Sequence, residues 1–322
     1  MTINRVKEND GTKLKEIADL FCPASKVVIV TGAGISTNAG IPDFRSEDGK
    51  YSRHGRSIFY SSTLINPLER SRFYHETTKI RQMVKNANPT ETHRFIKSLR
   101  DTGQLVRDYT QNIDCLEEKV GLCTGLQKEP GSMSGDAKEV ECVLLHGSLR
   151  LLRCFLCLKP HNWDEGKREE KTLSGNEPRC PSCAKASADR AAKGKRATAI
   201  GTLRPDIVLY DESNPQADFI TDIIQIDLEQ CPDIILVMGT SLKIHGVQHL
   251  IRAFAKAAHK QKGKVIYVNR TKPPKNWDGV IDYWVQQDCD IWVQDLMKRQ
   301  PALSSGTARS GPCMTTSTHV KS

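Results

Sequence analysis

The sequence predicts an α/β protein built on a Rossmann-like doubly wound parallel sheet, with a small four-cysteine zinc-ribbon insert. Three observations favour this fold class. An apolar run at 27–30 enters a glycine-containing turn, as the first strand of such a sheet does. Towards the C-terminus, apolar strand patterns alternate with helical ones. Two C-x-x-C pairs, at Cys154 and Cys157 and at Cys180 and Cys183, interrupt this alternation and predict the insert.

The bulk composition limits the classes of protein to consider. At 322 residues the chain is long enough for one large domain and a smaller insert. It has no apolar run of about eighteen residues, and its polar N-terminus lacks the core of a signal peptide. Eleven cysteines in such a chain favour metal binding or buried thiols over disulfides. We therefore expect a soluble intracellular protein.

The positive charge is concentrated in one segment. The formal net charge is +9, and residues 148–204 contain thirteen Lys and Arg against six Asp and Glu. A basic patch of this kind suits nucleic acid or an acidic protein surface. A solvated, partly disordered insert explains the same charges equally well.

The apolar spacing gives the order of elements. Amphipathic helices are predicted at 12–22, 69–85, 89–100, 216–228, 247–259 and 291–298. After the first strand, further strands are predicted at 104–109, 203–210, 233–238, 264–268 and 281–285. The remaining segments are a flexible insertion at 123–142 and a basic connector at 184–198. The predicted domains are an extension over 1–25, a catalytic domain over 26–299 (large part 26–145 and 205–299, zinc insert about 146–204), and a disordered tail over 300–322.

The stretch 31–46, TGAGISTNAGIPDFRS, is the first candidate for ligand binding. Gly32 and Gly34 allow a tight turn and a close approach to a ligand, and the small residues after them predict a helix whose N-terminus faces a phosphate. The dinucleotide fingerprint is incomplete, because Thr37 stands where its third glycine belongs. No strand ending in an acid follows at the usual distance. An ordinary hydride-transfer enzyme is therefore disfavoured.

Polar residues follow several of the predicted strands. In a doubly wound sheet, such residues face the ligand crevice. Gln111, Asn112 and Asp114 suit hydrogen bonds to a carboxamide such as nicotinamide, although an Asx turn explains them equally well. Ser241 and Asn269 follow later strands, where ribose hydroxyls or adenine would bind.

Two further features carry chemistry. His146 ends a short apolar strand between a ligand-facing loop and the cysteine module, and a neutral imidazole there can accept a proton at physiological pH. This position favours a general base over a structural core histidine. The two C-x-x-C pairs can hold one zinc ion tetrahedrally. Because four thiolates leave no open position on the metal, the zinc is expected to be structural.

With these motifs in place, the chain resembles a sirtuin, an NAD-dependent protein-lysine deacylase. GAGISTNAGIPDFRS, TQNID, HG, the two C-x-x-C pairs, GTSL and VN occur in the order typical of that family, between about residues 27 and 295. GTSLKIHG, LRPDIVLY and IDYWVQQDCD are most similar to the fungal nuclear class I branch that acts on core-domain histone lysines.

The resemblance implies roles for individual residues. The catalytic residues would be His146 and Asn112. Phe44 would shield the nicotinamide position from water, and Val208, Leu209 and Tyr210 would pair with the substrate backbone. The implied cofactor-binding residues are Gly32, Ala33, Gly34, Ile35, Ser36, Asp43, Phe44, Arg45, Tyr51, Gln111, Asn112, Ile113, Asp114, Gly239, Thr240, Ser241, Asn269, Arg270 and Cys289.

The implied reaction consumes acetyl-lysine, NAD and water, and yields free lysine, nicotinamide and O-acetyl-ADP-ribose. The acetyl oxygen attacks the ribose carbon that bears nicotinamide, and His146 then acts as general base on a ribose hydroxyl. An acetylated protein, expected to be a histone, is the implied substrate, the nucleus the expected location, and chromatin silencing or genome maintenance the expected role. The basic insert could contact a nucleosome or DNA, and no membrane contact is expected. Mono-ADP-ribosyl transfer and a non-catalytic chromatin-binding module are the alternatives.

Three residues depart from the family pattern. Cys115 replaces the glycine usual after QNID, so the backbone there has less conformational freedom. Asp211 replaces the glycine that usually follows the peptide-pairing strand, and Lys50 stands where leucine is common. None of the three removes a group that performs chemistry.

Overall fold

The computed structural model describes residues 2–43, 57–125 and 137–304. Its strands are β1 (Asn4–Val6), β2 (Val27–Thr31), β3 (Leu105–Thr110), β4 (Cys142–Leu144), β5 (Gly147–Cys154), β6 (Pro160–His161), β7 (Leu203–Ile207), β8 (Ile234–Met238), β9 (Lys264–Val268) and β10 (Tyr283–Val285). Its helices are α1 (Gly11–Asp19), α2 (Pro67–Asn86), α3 (Glu91–Asp101), α4 (Leu116–Lys119), α5 (Arg168–Leu173), α6 (Pro181–Ala192), α7 (Ala217–Glu229), α8 (His245–Lys260) and α9 (Cys289–Arg299).

The large sheet is parallel and doubly wound, which confirms the predicted fold class. Its strand order is β1-β10-β9-β8-β2-β3-β4. Successive residues of β2 belong to different cores: Val27 and Ile29 pack beside α1, α3 and α9, and Val28 and Val30 pack beside α7 and α8. Because both faces of this sheet are covered, its strands appear in the sequence as unbroken apolar runs.

The zinc module forms a second sheet, with the order β6-β5-β7. Its core also contains Phe73, Tyr74 and Ile80, so α2 packs with the module although it precedes it by about seventy residues. Arg81 joins the two by stacking its guanidinium 5.0 Å from the Trp163 ring centroid and pairing with carboxylates that follow Trp163. The small domain is therefore assembled from two separate stretches of chain.

Several element predictions need correction. The predicted helix after Gly34 is wrong: two single 3₁₀ turns, Ala33–Ile35 and Thr37–Ala39, stand there, and the second ends at Gly40 with φ +80°. The predicted strand 203–210 ends at Ile207. More than half of the predicted connector at 184–198 is helical, because α6 runs on to Ala192.

Two features near the termini were not predicted. β1 adds to the edge of the large sheet beside β10 and buries Val6 completely. Leu303, in the predicted tail, is buried in the core beside α9. The middle of the predicted insertion (126–136) and residues 305–322 lie outside the described residues. Within the described part of the chain, no helix is both long and apolar enough to span a bilayer.

Candidate active site

The site is a cleft of about 1290 Å³ at the carboxyl ends of β2, β3, β8 and β9. The chain leaves β2 towards β3 on one side, and β8 lies on its other side, so the cleft sits where the strand order reverses. Ligands of doubly wound sheets bind at this point. The predicted site residues that line it are Gly32, Ala33, Gly34, Asp43, Gln111, Asn112, Ile113, His146, Val208, Leu209, Tyr210, Gly239, Thr240, Ser241, Asn269, Arg270 and Cys289.

The glycines allow two loops of the cleft floor to touch. A Cβ on Gly34 would lie 2.7 Å from the Gly239 Cα, and one on Gly32 would lie 2.8 Å from the Thr240 Cβ. Gly239 itself has φ +61°. The Gly34 amide donates to the Gly239 carbonyl at 2.8 Å. Any larger side chain would separate the loops after β2 and β8, so these glycines are needed for loop-to-loop packing.

A polar network links the loops on either side of this contact. The Gln111 side-chain amide donates to the Thr31 carbonyl at 2.9 Å and to the Thr240 hydroxyl at 3.0 Å. The Asn269 side-chain amide donates to the Thr240 carbonyl at 3.1 Å. The loops after β2, β3, β8 and β9 are thus held in fixed relative positions.

The half-buried His146 projects into the cleft from the end of β4. Its Nδ1 lies 3.0 Å from the Gln111 carbonyl oxygen. Because a carbonyl only accepts hydrogen bonds, Nδ1 carries the proton and Nε2 is the basic nitrogen. Gly147 follows with φ +72°, and a Cβ there would lie 2.3 Å from the Asp206 carbonyl oxygen. Glycine is therefore needed directly after His146, where β5 begins beside β7.

Asn112 and Asp114 meet at a buried hydroxyl. The Asn112 side-chain amide donates to the Ser36 Oγ at 3.3 Å, and the Ser36 hydroxyl also bonds Asp114. Asp114 accepts the Leu116 amide at 3.1 Å as well. Ser36 and Asp114 are buried and do not line the cleft, and Ser36 connects Asp114 to Asn112, which does line it. Their contact with the cofactor stays a prediction.

Beneath this network is a buried acidic cluster that no local sequence pattern indicates. Ligand atoms of His93, Asp114 and Glu117 lie within 4.8 Å of one another. The His93 Nε2 makes no hydrogen bond with a described residue. The Thr110 hydroxyl is near enough to the Glu117 carboxylate to lower its pKa, but no donor among the described residues meets full hydrogen-bond geometry with either oxygen. Burial, with the charges of Asp114 and Asp108, raises the pKa of Glu117 well above its usual range. Burial also raises the pKa of Asp108 to about 7 and lowers that of His93 to about 4.

The predicted peptide-pairing segment forms one wall of the cleft, and its amides are already bonded. Val208 donates to the His146 carbonyl at 2.9 Å, and Tyr210 donates to the Phe59 carbonyl at 2.7 Å. Leu209 donates to the Glu212 carboxylate at 3.1 Å. A peptide that pairs here would have to use carbonyl oxygens of the segment or displace one of these contacts.

The other predicted cofactor residues have different surroundings. Ile35 is buried in the core and does not line the cleft. Arg270, at the rim, donates to the Asp288 carboxylate at 2.8 Å. The Cys289 side chain is buried, and its thiol points to the Val268 carbonyl oxygen. Phe44, Arg45, Tyr51 and Lys50 lie outside the described residues.

The four predicted metal ligands form a zinc-binding group. Their sulfurs all lie within 4.8 Å of one another, and Cys154–Cys183 and Cys157–Cys180 are each 3.7 Å apart. Four thiolates about 2.3 Å from a tetrahedral zinc would be about 3.8 Å apart, whereas disulfide sulfurs are about 2.05 Å apart. A Cβ on Gly201 would lie 2.7 Å from the Cys154 sulfur, so glycine is required beside the metal. A structural zinc fits this group.

Both departures from glycine keep the glycine-like backbone. Cys115 has φ +58° and Asp211 has φ +68°. L-residues adopt this left-handed conformation at a cost of about 1 to 2 kcal/mol. The loops therefore retain their shape and accept local strain.

Fold and site together define a Rossmann-like, cleft-forming enzyme scaffold with a structural-zinc module. A sequence model of the Sir2 family matches residues 32–246. The chain belongs to the Sir2 family.

The chain is similar to several fungal proteins over most of its length. The chain is 40% identical to the NAD-dependent histone deacetylase HST3 of Candida albicans, covering 92% of this chain and 66% of that protein. It is 37% identical to HST3 of Saccharomyces cerevisiae (91% and 69%) and 35% identical to the NAD-dependent protein deacetylase hst4 of Schizosaccharomyces pombe (89% and 70%). The chain therefore spans about two thirds of the length of these relatives.

Solved structures share the fold. A complex of Sir2 with a p53 peptide and NAD+ is 24% identical, with a TM-score of 0.67 over 90% of this chain and 99% of that one. A Sir2 homologue bound to NAD is 23% identical, with the same TM-score over 94% and 98%.

Proposed function

We propose that the protein removes acetyl groups from lysine side chains of histones, with NAD as co-substrate and nicotinamide and O-acetyl-ADP-ribose as products. The observation that carries this proposal is the basic Nε2 of His146, set by the Gln111 carbonyl at 3.0 Å inside a dinucleotide-sized cleft. The names of the fungal relatives support both the reaction and the histone substrate.

Different cleft residues bind different parts of the dinucleotide. In this proposal, the loop Gly32–Gly34 and the residues Gly239, Thr240 and Asn269 bind the phosphates and the adenosine half. Asn112, whose side chain is oriented by Ser36, binds at the nicotinamide end. Buried donors whose positions are fixed in advance stabilise developing charge better than water does.

His146 supplies the proton transfer. Its Nε2 takes the proton from a ribose hydroxyl, which can then attack the acyl carbon. The Nδ1–H bond to the Gln111 carbonyl keeps the ring oriented and stabilises the imidazolium that results. A positioned general base of this kind contributes about 10²- to 10⁴-fold to a rate.

Zinc takes no part in this chemistry. Cys154, Cys157, Cys180 and Cys183 fill a tetrahedral shell, so zinc would supply cross-linking within the module and no open Lewis-acid position. The excess of Lys and Arg at 148–204 supports a nucleosome or DNA contact for this module, and action in the nucleus follows from a histone substrate.

The test is mass spectrometry of acetylated core histones incubated with the protein, with and without NAD. We expect acetyl loss only with NAD, together with O-acetyl-ADP-ribose, and a loss of about 100-fold or more in His146→Ala with NAD binding retained. His249→Gln, an exposed histidine outside the cleft lining, is the matched control.

Other products would point to the alternatives. ADP-ribose transferred to protein while acetyl groups remain would indicate a mono-ADP-ribosyltransferase. Salt-dependent DNA binding without NAD turnover would indicate a chromatin-binding module.

A further inference from the structure

Two histidines face each other at the start of α8. His245 and His249 are four residues apart, so they share one helix face. Both are exposed. Their Nε2 atoms are 3.4 Å apart, and their ring centroids are 4.4 Å apart with an interplanar angle of 69°.

The distance between the two Nε2 atoms fits two ligands of one metal ion better than a direct hydrogen bond. Nitrogen donors in proteins usually approach their acceptors to about 2.7 to 3.2 Å, and 3.4 Å is longer. Two nitrogens at about 2.0 to 2.1 Å from a tetrahedral zinc would be about 3.3 to 3.4 Å apart. Histidines at i and i+4 on a helix are a known way to present two imidazoles to zinc.

We propose that His245 and His249 form a second, labile zinc site at the rim of the cleft. Zn²⁺ is the fitting cation because imidazole suits it and because the observed N–N distance is that of its tetrahedral geometry. No third His, Cys, Asp or Glu groups with the pair in the described part of the chain. Water or a ligand therefore completes the coordination sphere, and the ion exchanges readily, unlike one held by four thiolates.

The position of the two histidines implies that a bound zinc ion affects substrate binding. His245 lines the cleft, as do Tyr210, Asp211 and Ile244. An ion bound there with its waters would occupy part of the cleft that the predicted peptide-pairing segment 208–210 also lines. Zn²⁺ should then compete with the peptide, a consequence that rests on the proposed deacetylase activity.

Direct binding tests the site without any reference to activity. Protein without a polyhistidine tag is dialysed until only firmly held zinc remains, and Zn²⁺ is then titrated against a chromogenic indicator. We expect one additional zinc per chain in the wild type and an affinity at least tenfold lower in His249→Gln. His249→Gln combined with Lys260→His keeps the number of histidines but separates the pair, and it should bind as weakly as the single variant.

The binding experiment can overturn the site. No additional zinc in the wild type, or equal affinity in wild type and His249→Gln, would exclude the pair as ligands. Co²⁺ gives a second readout, because intense tetrahedral absorption bands that depend on His249 are expected, and their absence would exclude the tetrahedral geometry.

Kinetics then test the consequence. Micromolar free Zn²⁺ should raise the KM for an acetylated histone peptide while kcat stays constant, and His249→Gln should be insensitive with unchanged activity in metal-free buffer. Zinc binding without this rise in KM would overturn the competition. A complete absence of deacetylation would instead contradict the proposed function, because the binding readout does not depend on turnover.

Discussion

Buried charged side chains have different hydrogen-bond partners on the two faces of β3. On the face towards α7, Asp227 accepts two hydrogen bonds from Arg107, at 2.8 and 2.9 Å, and one from the Tyr109 hydroxyl at 2.7 Å. Arg107 and Asp227 are 4% and 1% exposed. Here a buried carboxylate has a complete set of partners, as buried ions require.

On the opposite face, buried carboxylates lack such partners. Among the described residues, the donors to Asp108 are the Thr31 hydroxyl, at a long 3.3 Å, and the weakly donating Cys142 thiol, at 3.4 Å. No Lys or Arg among the described residues hydrogen-bonds Asp108, Asp114 or Glu117. This face lies beneath the nicotinamide end of the proposed site. The comparison indicates that pairing with a cation serves stability on one face, and that the other face keeps a carboxylate cluster without such an ion pair where the cleft is built.

The largest loss of stability is expected when the Arg107–Asp227 ion pair is broken. Asp227→Ala leaves Arg107 buried without its partner, so the free energy of unfolding should fall by about 3 to 5 kcal/mol, measured by urea denaturation. The double variant Arg107→Met, Asp227→Leu removes both charges and should regain much of that loss. A double variant as unstable as the single one would show that the unpaired charge of Arg107 is not the cause of the lost stability.

The buried carboxyl of Asp108 on the unpaired face should make the free energy of unfolding depend on pH. Burial raises the pKa of Asp108 to about 7, from an ordinary value of 3.8. Between these values the folded state holds a proton that the unfolded state has released, so stability falls as pH rises towards 7. Asp108→Asn removes this titration, and its stability relative to the wild type should rise by at most about 1.4 kcal/mol per pH unit between pH 5 and 7.

The control for Asp108 is a carboxylate on an exposed surface. Asp222→Asn, on the exposed face of α7, should give a stability curve parallel to that of the wild type. Parallel curves for Asp108→Asn as well would contradict a protonated carboxyl beneath the cleft.

The sequence predicted most of the large sheet because its strands are buried on both faces. The apolar runs that became β2, β8 and β9 have no polar interruption, so their positions were clear. Residues just past these strands line the cleft, as the topology rule implies. β1 escaped prediction because three residues are too few to show a period, and only its pairing with β10 makes it a strand.

The arrangement behind the cleft wall could not be predicted, because it depends on contacts between distant residues. Gln111 meets Thr240 across 129 positions. His93 lies in α3, and Glu117 lies beyond β3 in α4, so no local pattern indicates that they meet. Spacing alone also could not give the tautomer of His146, which is set by a carbonyl 35 residues away.

The smallest effect is expected at Cys115, where two variants distinguish the cost of backbone strain from that of buried charge on the unpaired face. Cys115 lies between Asp114 and Glu117 with φ +58°, so this loop carries strain as well as buried carboxylates. Cys115→Ala and Cys115→Gly both remove the thiol, but only glycine adopts positive φ without cost. The glycine variant should be more stable than the alanine variant by about 1 kcal/mol in urea denaturation. Because neither change alters a charge, the pH dependence attributed to Asp108 should persist in both. Equal stability of the two variants would mean that the loop relaxes to avoid the strained conformation, and the cost of this face would then be electrostatic alone.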